Sequence, residues 1–468
     1  MGTLISVLNI AREAIAAEQS AVNVTANNVA NQNTPGYTRE VSNFVAQDTY
    51  LLNGHNVGDG VLAGQPTSVR DRVLEQRVQQ QTQIQSQSAA IQSALSDVES
   101  IFGVTSTTTS SSVTQLGSAV NAFFSALTAL AANPSDTPTR QQVLSAASTL
   151  SATFNAESSQ ISQITTSLQG SALNIVGQVN TLLSTVATLN AKIAAQSPNT
   201  DAGVLEDQRQ AAINQLSQYI GLDEINTSNN GIELTTANGG FLVSGPNSYP
   251  LSATVLGGTV QVLAGPNFTN VTSGLTGGSL GGTLQALTTS IPPLLEQLDT
   301  LAYSIATAVN TQNEAGVDAN GNPGAALFTI GTTAPGSAAT IAAATTNGSL
   351  VATAGPGEGS TGNTNASALA ALGTALIAGG QTASSYLASA LATIGEAAAT
   401  ANNDSTLQQA TLTQLTTQRN SLSGVSLDQE AADLSQYQRS YQAASQLFSI
   451  IDTLFATVLN LGVVTTVS

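Results

Sequence analysis

The chain has 468 residues, ten Lys and Arg against 28 Asp and Glu, a formal net charge of −18, one histidine and no cysteine. An acidic chain without a basic stripe argues against nucleic acid and anionic membrane as partners, and the lack of cysteine rules out disulfides and thiolate metal sites. With only 8% charged residues, contacts should rest on apolar seams and amides, with ion pairs minor.

The first predicted element is an N-terminal helix. Leu8, Ile15, Val22 and Val29 recur at heptad spacing, and Leu4 and Ala11 supply the alternate position of an apolar stripe. No basic n-region precedes it, and Arg12, Glu13 and Glu18 interrupt it, which argues against a cleaved secretory signal. The helix runs into ANNVANQNTPGYTR, Ala26 to Arg39. Thr34-Pro35-Gly36-Tyr37 reads as a type II turn, because Pro presets φ at the second position and Gly accepts a positive φ at the third. Upstream, Asn23, Asn27, Asn28, Asn31 and Asn33 supply uncharged donors and acceptors for a crowded helix end.

His55, in the Gly-rich stretch Gly54 to Gly60, reads as a solvated turn residue. Helix-period segments follow at Leu74 to Phe102, Val113 to Leu130, Val143 to Leu168, Ile175 to Ile193 and Leu205 to Ile220. Breaks are expected at Asn133-Pro134, Gly170 and Ser197-Pro198. Asp207 and Arg209, two apart on a helix, cannot face one another. From 221 to 283 the pattern changes to short alternating runs punctuated by Gly pairs, which predicts a β-rich insertion.

Within that insertion Gly277-Gly278-Ser279-Leu280-Gly281 mimics a nucleophile elbow, but no histidine follows it. A helix is expected from about Leu284 to Asn310, and then loops with short strands over 313–365. Asp318, Asn320 and Asn322 resemble the start of a calcium loop, but Pro323 occupies the glycine position and Thr329 the bidentate-acid position, so the segment reads as a turn. The sole lysine, Lys192, follows no Gly-rich loop, which excludes a P-loop. Ala366 to Ala378 is too short to span a membrane and reads as a bundle helix. These features predict no cofactor, no metal and no enzymatic activity.

The last element is a long helix from about Ser426 to Leu461. Leu427, Leu434, Tyr441, Phe448 and Phe455 recur at heptad spacing, with Tyr437, Ala444, Ile451 and Val458 on the second position. Periodicity leaves two uses open for the terminal stripes, a hairpin within one chain or assembly between subunits.

The N-terminal motif, read with SGVSLDQEAADLSQYQRSYQAASQLFSIIDTLFATVLNLG at the other end, resembles the terminal signatures of bacterial flagellar rod, hook and hook-associated proteins. Three interior stretches, Leu116 to Glu157, Leu205 to Leu251 and Gly281 to Gly324, are similar to the hook-associated protein 1 family. Gln210, Thr288-Thr289 and Asn313 depart from residues common in that family, and 329–365 matches nothing in it.

The resemblance implies a structural subunit at the junction between hook and filament, coupling a flexible hook to a rigid filament. It also implies partners: a ring of identical subunits, the hook protein, a second junction protein (FlgL), and an export chaperone (FlgN) on the C-terminal helix. Export would use the flagellar type III apparatus, giving an extracellular location at the hook–filament junction. Another axial protein, a surface adhesin and a wall hydrolase are the competing readings.

The expected fold is mainly α: an elongated helical bundle, coiled-coil-like N- and C-terminal helices packed together, and a β-rich insertion in the middle of the chain. Its expected parts are a terminal domain (1–35 and 425–468), a helical bundle (36–220, 284–312 and 366–424), the β-rich insertion (221–283) and an unassigned segment (313–365). The expected assembly surface combines Leu8, Ile15, Val22, Asn28, Val29, Asn31, Pro35, Gly36 and Tyr37 with Leu427, Leu434, Tyr441, Phe448, Ile451 and Phe455.

Overall fold

The computed structural model describes residues 2–52, 55–103, 114–196, 201–228, 230–265, 269–359 and 361–463. Helix α1 (Gly2–Asn31) is followed by β1 (Glu40–Val41), β2 (Phe44–Ala46), β3 (Thr49–Leu52), β4 (His55–Gly58), β5 (Val61–Ala63) and β6 (Thr67–Ser68). These pair antiparallel as β1 with β6, β2 with β5 and β3 with β4, a nested hairpin laid over α1. The first part of the stretch assigned to the helical bundle, before α2, thus holds strands, because Val41, Phe44, Val45, Val57 and Val61 supply β-branched and aromatic residues without a helical period. His55 opens β4 opposite Leu52, so it is a strand residue and not a turn residue.

Helix α2 (Arg72–Ile101) begins at Asp71, whose carboxylate accepts from the amides of Val73 and Leu74. Next come α3 (Gln115–Ala132) and α4 (Thr137–Gln196). At 1.5 Å per residue α4 extends about 90 Å. The expected break at Gly170 does not occur. Glycine costs about 1 kcal/mol in a helix interior, and buried Ile161 on one side and Ala172, Val176 and Val179 on the other outweigh that.

Helix α5 (Val204–Tyr219) leads into two antiparallel sheets. One is a meander in the order β10 (Asn247–Ser248), β9 (Phe241–Ser244), β8 (Ile232–Thr235), β7 (Asp223–Asn226). The other joins β11 (Leu251–Leu256), β12 (Thr259–Ala264) and β13 (Thr269–Asn270). Chain direction then reverses into α6 (Gly278–Gln285), a π turn over Ala286–Ser290, and α7 (Pro292–Glu314). Helix thus returns at Gly278, ahead of the expected Leu284. Glycines hid it: at Gly282 a Cβ would collide with the backbone oxygen of Gln87, so only glycine lets α6 lie so close to α2.

The segment after α7 holds β14 (Phe328–Thr329), α8 (Ser337–Thr340) and β15 (Ala342–Ala343), followed by α9 (Thr364–Ala371), α10 (Ala383–Ser423) and α11 (Leu427–Val463). The stretch from Gly316 to α9, without an expected role, folds as a cover over α4 and α7. Leu327, Phe328, Ile341 and Val351 enter the core, and buried polar groups fasten the backbone. Asn313 accepts from the Ala352 amide at 2.9 Å and donates to the Ala325 carbonyl at 2.7 Å. Asp299 receives the amides of Gly336 and Ala338, and Arg140 donates to the Val351 carbonyl.

Two apolar cores result, both lined by α4. The first gathers Phe123, Leu127, Leu150, Phe154, Leu301 and Phe328 from α3, α4, α7 and the cover. The second gathers Val179, Leu183, Ile213, Leu234, Val262 and Leu280 from α4, α5, the sheets and α6. Three stretches, Gln115–Ala132, Thr137–Gln196 and Ala383–Leu459, contain windows long and apolar enough to cross a membrane. In each of the first two, 44% of that window is buried, whereas only 6% of the window within Ala383–Leu459 is.

Candidate functional site

The terminal helices meet: α11 packs along α1. The side of α1 turned inward is Ala11, Ala17, Ala21, Val24 and Asn28, all buried. Alanines let the two backbones approach, and the face they form lies beside the expected stripe. Leu8, Ile15 and Val22 are therefore half-buried and Val29 is exposed. On α11, Ile451 is buried, Leu434, Phe448 and Phe455 are half-buried, and Leu427 and Tyr441 are exposed. Ile5 and Val7 of α1 and Leu447, Ile450, Leu454, Val458 and Leu459 of α11 also face outward. Gln19, Val22, Gln438, Tyr441 and Gln442 line a groove of about 310 Å³. Exposed large hydrophobic side chains are thus denser along these two helices than in the rest of the described residues.

The bend after α1 has the expected geometry. The Tyr37 amide donates to the Thr34 carbonyl at 3.1 Å, and Gly36 has φ +82°, the value a type II turn needs. Asn31 serves this bend locally: it accepts from the Thr34 hydroxyl and donates to Asn27. Pro35 is exposed and Tyr37 is buried.

Asn28 has a different place from the one expected. It is 1% exposed, and all four of its amide bonds lie within the chain. Its nitrogen donates to the Glu40 carbonyl at 2.8 Å and to Glu430 Oε2 at 3.0 Å. Its oxygen accepts from the Tyr37 hydroxyl at 2.9 Å and the Glu40 amide at 3.0 Å. One side chain thus ties α1, the bend, β1 and α11, which only a carboxamide can do. Burial, followed by Glu40, Asp207 and Glu430, raises the Tyr37 phenol above its usual range, so it stays a donor.

Charged residues surround this node. Arg39 Nε contacts Glu430 Oε1 at 2.5 Å and its Nη2 contacts Asp433 Oδ2 at 2.9 Å. Arg419 Nε contacts Glu75 Oε1 at 2.6 Å, and its Nη2 donates to the Gly36 carbonyl at 2.9 Å. Arg70 reaches Glu206 at 3.2 Å and also pairs with Asp207. The Thr38 amide donates to Asp207 Oδ2 at 3.1 Å. Burial raises the Asp207 carboxyl despite that amide and Arg70, and burial with Asp207 and Asp201 raises Glu40. Asp201 is also pushed up by burial, but bonds from Ser68 and Gly203 together with Arg70 outweigh this and hold it low.

As expected from their spacing, Asp207 and Arg209 diverge. Arg209 points the other way, donating to Asn190 Oδ1 at 2.9 Å and to the Asn230 carbonyl, which fastens α5 to α4 and the sheet. Burial lowers its guanidinium to about 10. Sequence reasoning missed Arg39, Arg70, Arg419, Glu75, Glu206 and Glu430. A usable signal was that buried positions in a chain so poor in charge leave few roles for an arginine other than a specific pair.

The patterns set aside in the sequence have structural uses. Ser279 lies in the first turn of α6, where Gly277 and Gly278 press against Gly221 and the Tyr219–Ile220 backbone. Asp318 accepts from the amides of Asn320 and Asn322, both at 2.8 Å, closing a turn. Among the described residues, no group of three or more His, Asp or Glu is placed to hold a metal ion.

Comparison with known proteins covers both the ends and the interior. Residues 102–328 match the flagellar hook-associated protein FlgK helical domain. Residues 8–38 match the flagella basal body rod protein family, and 417–461 match the C-terminal family of flagellar basal body rod FlgEFG proteins. Flagellar hook-associated protein 1 of Bacillus subtilis is 29% identical over 97% of this chain and 97% of its own length. That of Escherichia coli is 30% identical over 70% of this chain, which spans 60% of the relative's length. In fold, the chain is similar to the flagellar hook junction protein FlgK from Burkholderia pseudomallei: TM-score 0.68, 19% identity, covering 74% of this chain and all of that one.

Proposed function

Because this chain belongs to the flagellar hook-associated protein 1 family, a family of structural flagellar proteins, we propose that it forms the ring that joins hook to filament, coupling a bendable tube to a stiff one. It is a component of the extracellular flagellum, and its work is mechanical, with no reaction catalysed. The observation that carries this reading is the α1–α11 pair, in which α1 buries Ala11, Ala17 and Ala21 while Ile450, Leu454 and Leu447 of α11 remain outside. Side-by-side contacts through that open face extend a ring of identical subunits.

Hook protein below and a second junction protein, FlgL, above are the neighbours this role requires. Before assembly the same face is an aggregation hazard. A chaperone such as FlgN, seated on α11 in the cytoplasm, removes that hazard during export through the type III apparatus. The residues proposed for the surface are Leu8, Ile15, Val22 and Val29 with Leu427, Leu434, Tyr441, Phe448 and Phe455. Asn28, Asn31, Gly36 and Tyr37 act instead by shaping the bend behind it.

The test is deletion of the gene, with imaging of the cell surface and assay of the medium. Hooks without filaments, and filament subunits shed into the medium, are expected. Loss of the hooks would move the protein down to hook or rod, and intact filaments would overturn the reading.

A further inference from the structure

Three short segments lie where the terminal helix pair meets the rest of the molecule: the link from α1 into β1, the crossing from β6 into α2, and the crossing from α10 into α11. Arg39 and Arg70 lie in the first two, Arg419 lies near the end of α10 just before the third, and each arginine grips a carboxylate on a different helix. Arg39 holds Glu430 of α11, Arg70 holds Glu206 and Asp207 of α5, and Arg419 holds Glu75 of α2. Among the described residues all six ion pairs of the chain lie at this one level, formed by four of its ten basic residues.

The crossings are also bound to one another. The Arg39 amide donates to the Ser423 carbonyl at 2.9 Å, so the outgoing segment is held to the returning one, and Arg419 completes the link through the Gly36 carbonyl. The segments alone do not resist rotation, since they contain the Gly36 turn and the Gly424 break between α10 and α11. Stiffness must come from the side chains across them. These pairs are largely out of water: side-chain exposure is 8% for Arg70 against 2% for Glu206, and 10% for Arg419 against 5% for Glu75. Salt screens such pairs weakly, and a planar guanidinium fork fixes direction as well as distance.

We propose that this belt of arginine–carboxylate pairs is a rigid coupling that sets the angle of the α1–α11 pair against the helical body. Loosening the belt turns the crossings into a swivel while both partners stay folded. The inference rests on the belt's geometry and not on the flagellar role, so the two can fail separately.

The chain has no cysteine, so two introduced ones can be spin-labelled without background. Ala432→Cys on α11 and Ser159→Cys on α4 are exposed positions on either side of the belt. Pulsed electron-spin distance measurement on the full chain should give a single narrow peak. Arg70→Gln should replace that peak with a broad or multi-peaked distribution while the far-ultraviolet helical signal is retained. Glu75→Gln combined with Arg419→Gln removes a pair without stranding a charge and should broaden the peak in the same way. An unchanged peak in both variants, a broad distribution already in the parent chain, or broadening only together with loss of helical signal would each overturn the proposal.

Discussion

The helical body and the terminal pair are both built of long helices, yet they distribute apolar residues in opposite ways. In the body, Phe123, Leu150 and Phe154 are fully buried. In the pair, half of the buried face of α1 is alanine, while Ile450 is 59% and Leu454 49% exposed. Burying a large aliphatic side chain contributes about 1.5–3 kcal/mol. The body has already gained that within one chain, and the pair has not. A core that is complete folds alone, whereas a face left open awaits a neighbour.

The largest expected effect that tests this contrast is on the body. Phe154→Ala should lower its stability by about 3–5 kcal/mol, read as a shift in the thermal transition by circular dichroism. An unmoved transition would mean that the first core is not the source of the body's stability.

Next in size is a pH effect inside that core. Glu157 of α4 is 3% exposed, has one carboxylate oxygen without a partner, and is raised by burial from 4.5 to about 7. The folded state therefore binds this proton more tightly than the unfolded state. Stability from this group is present below the unfolded value of 4.5 and is lost as pH climbs through about 7, by about 3 kcal/mol in all. Denaturant titrations at about pH 5 and about pH 8 should show the fall, and Glu157→Gln should flatten it. Equal pH slopes in the two proteins would remove the buried acid from the account.

Smaller still is the change at the bend. Asn28→Ala leaves Tyr37, Glu430 and both backbone groups of Glu40 without their partner, at a cost of about 1–3 kcal/mol. The loss should appear as faster amide exchange in 36–41 and at the start of α11, with α3 and α7 unaffected. Uniformly faster exchange would show that the bend and body unfold together and are not the separable regions described.

The smallest stability effect sharpens the contrast most. Ile450→Asp with Leu454→Asp alters exposed positions and should shift the stability of the isolated chain by no more than about 0.5 kcal/mol. Incorporation into flagella should nevertheless be lost. Normal incorporation would show that the open face of α11 is not the assembly surface.

Legibility in the sequence followed the range of the forces involved. The C-terminal helix expected from about Ser426 to Leu461 spans Leu427–Val463, because heptad spacing and the Gly424 break act locally. The turn at Pro35-Gly36 was equally plain, since two residue types nearly fix its dihedrals. The nested hairpin was less so, although Asn53-Gly54 is a dipeptide suited to two-residue hairpin loops. Helix α6 was hidden because its glycines answer to Gln87 of a distant helix and not to their own helical propensity.

By itself, then, the sequence determined the helical periods, the bend after α1 and the apolar stripes at both ends, each set by residues close enough along the chain to act on one another. Tertiary structure decided that α4 runs unbroken past Gly170, that Asn28 turns inward to bond three residues, and that Arg39, Arg70, Arg72 and Arg419 converge on one level. Those outcomes depend on pairs such as Asn28 with Glu430 and Arg419 with Glu75. Burial makes an unmet amide or guanidinium too costly to leave, and only the folded chain brings its partner within reach.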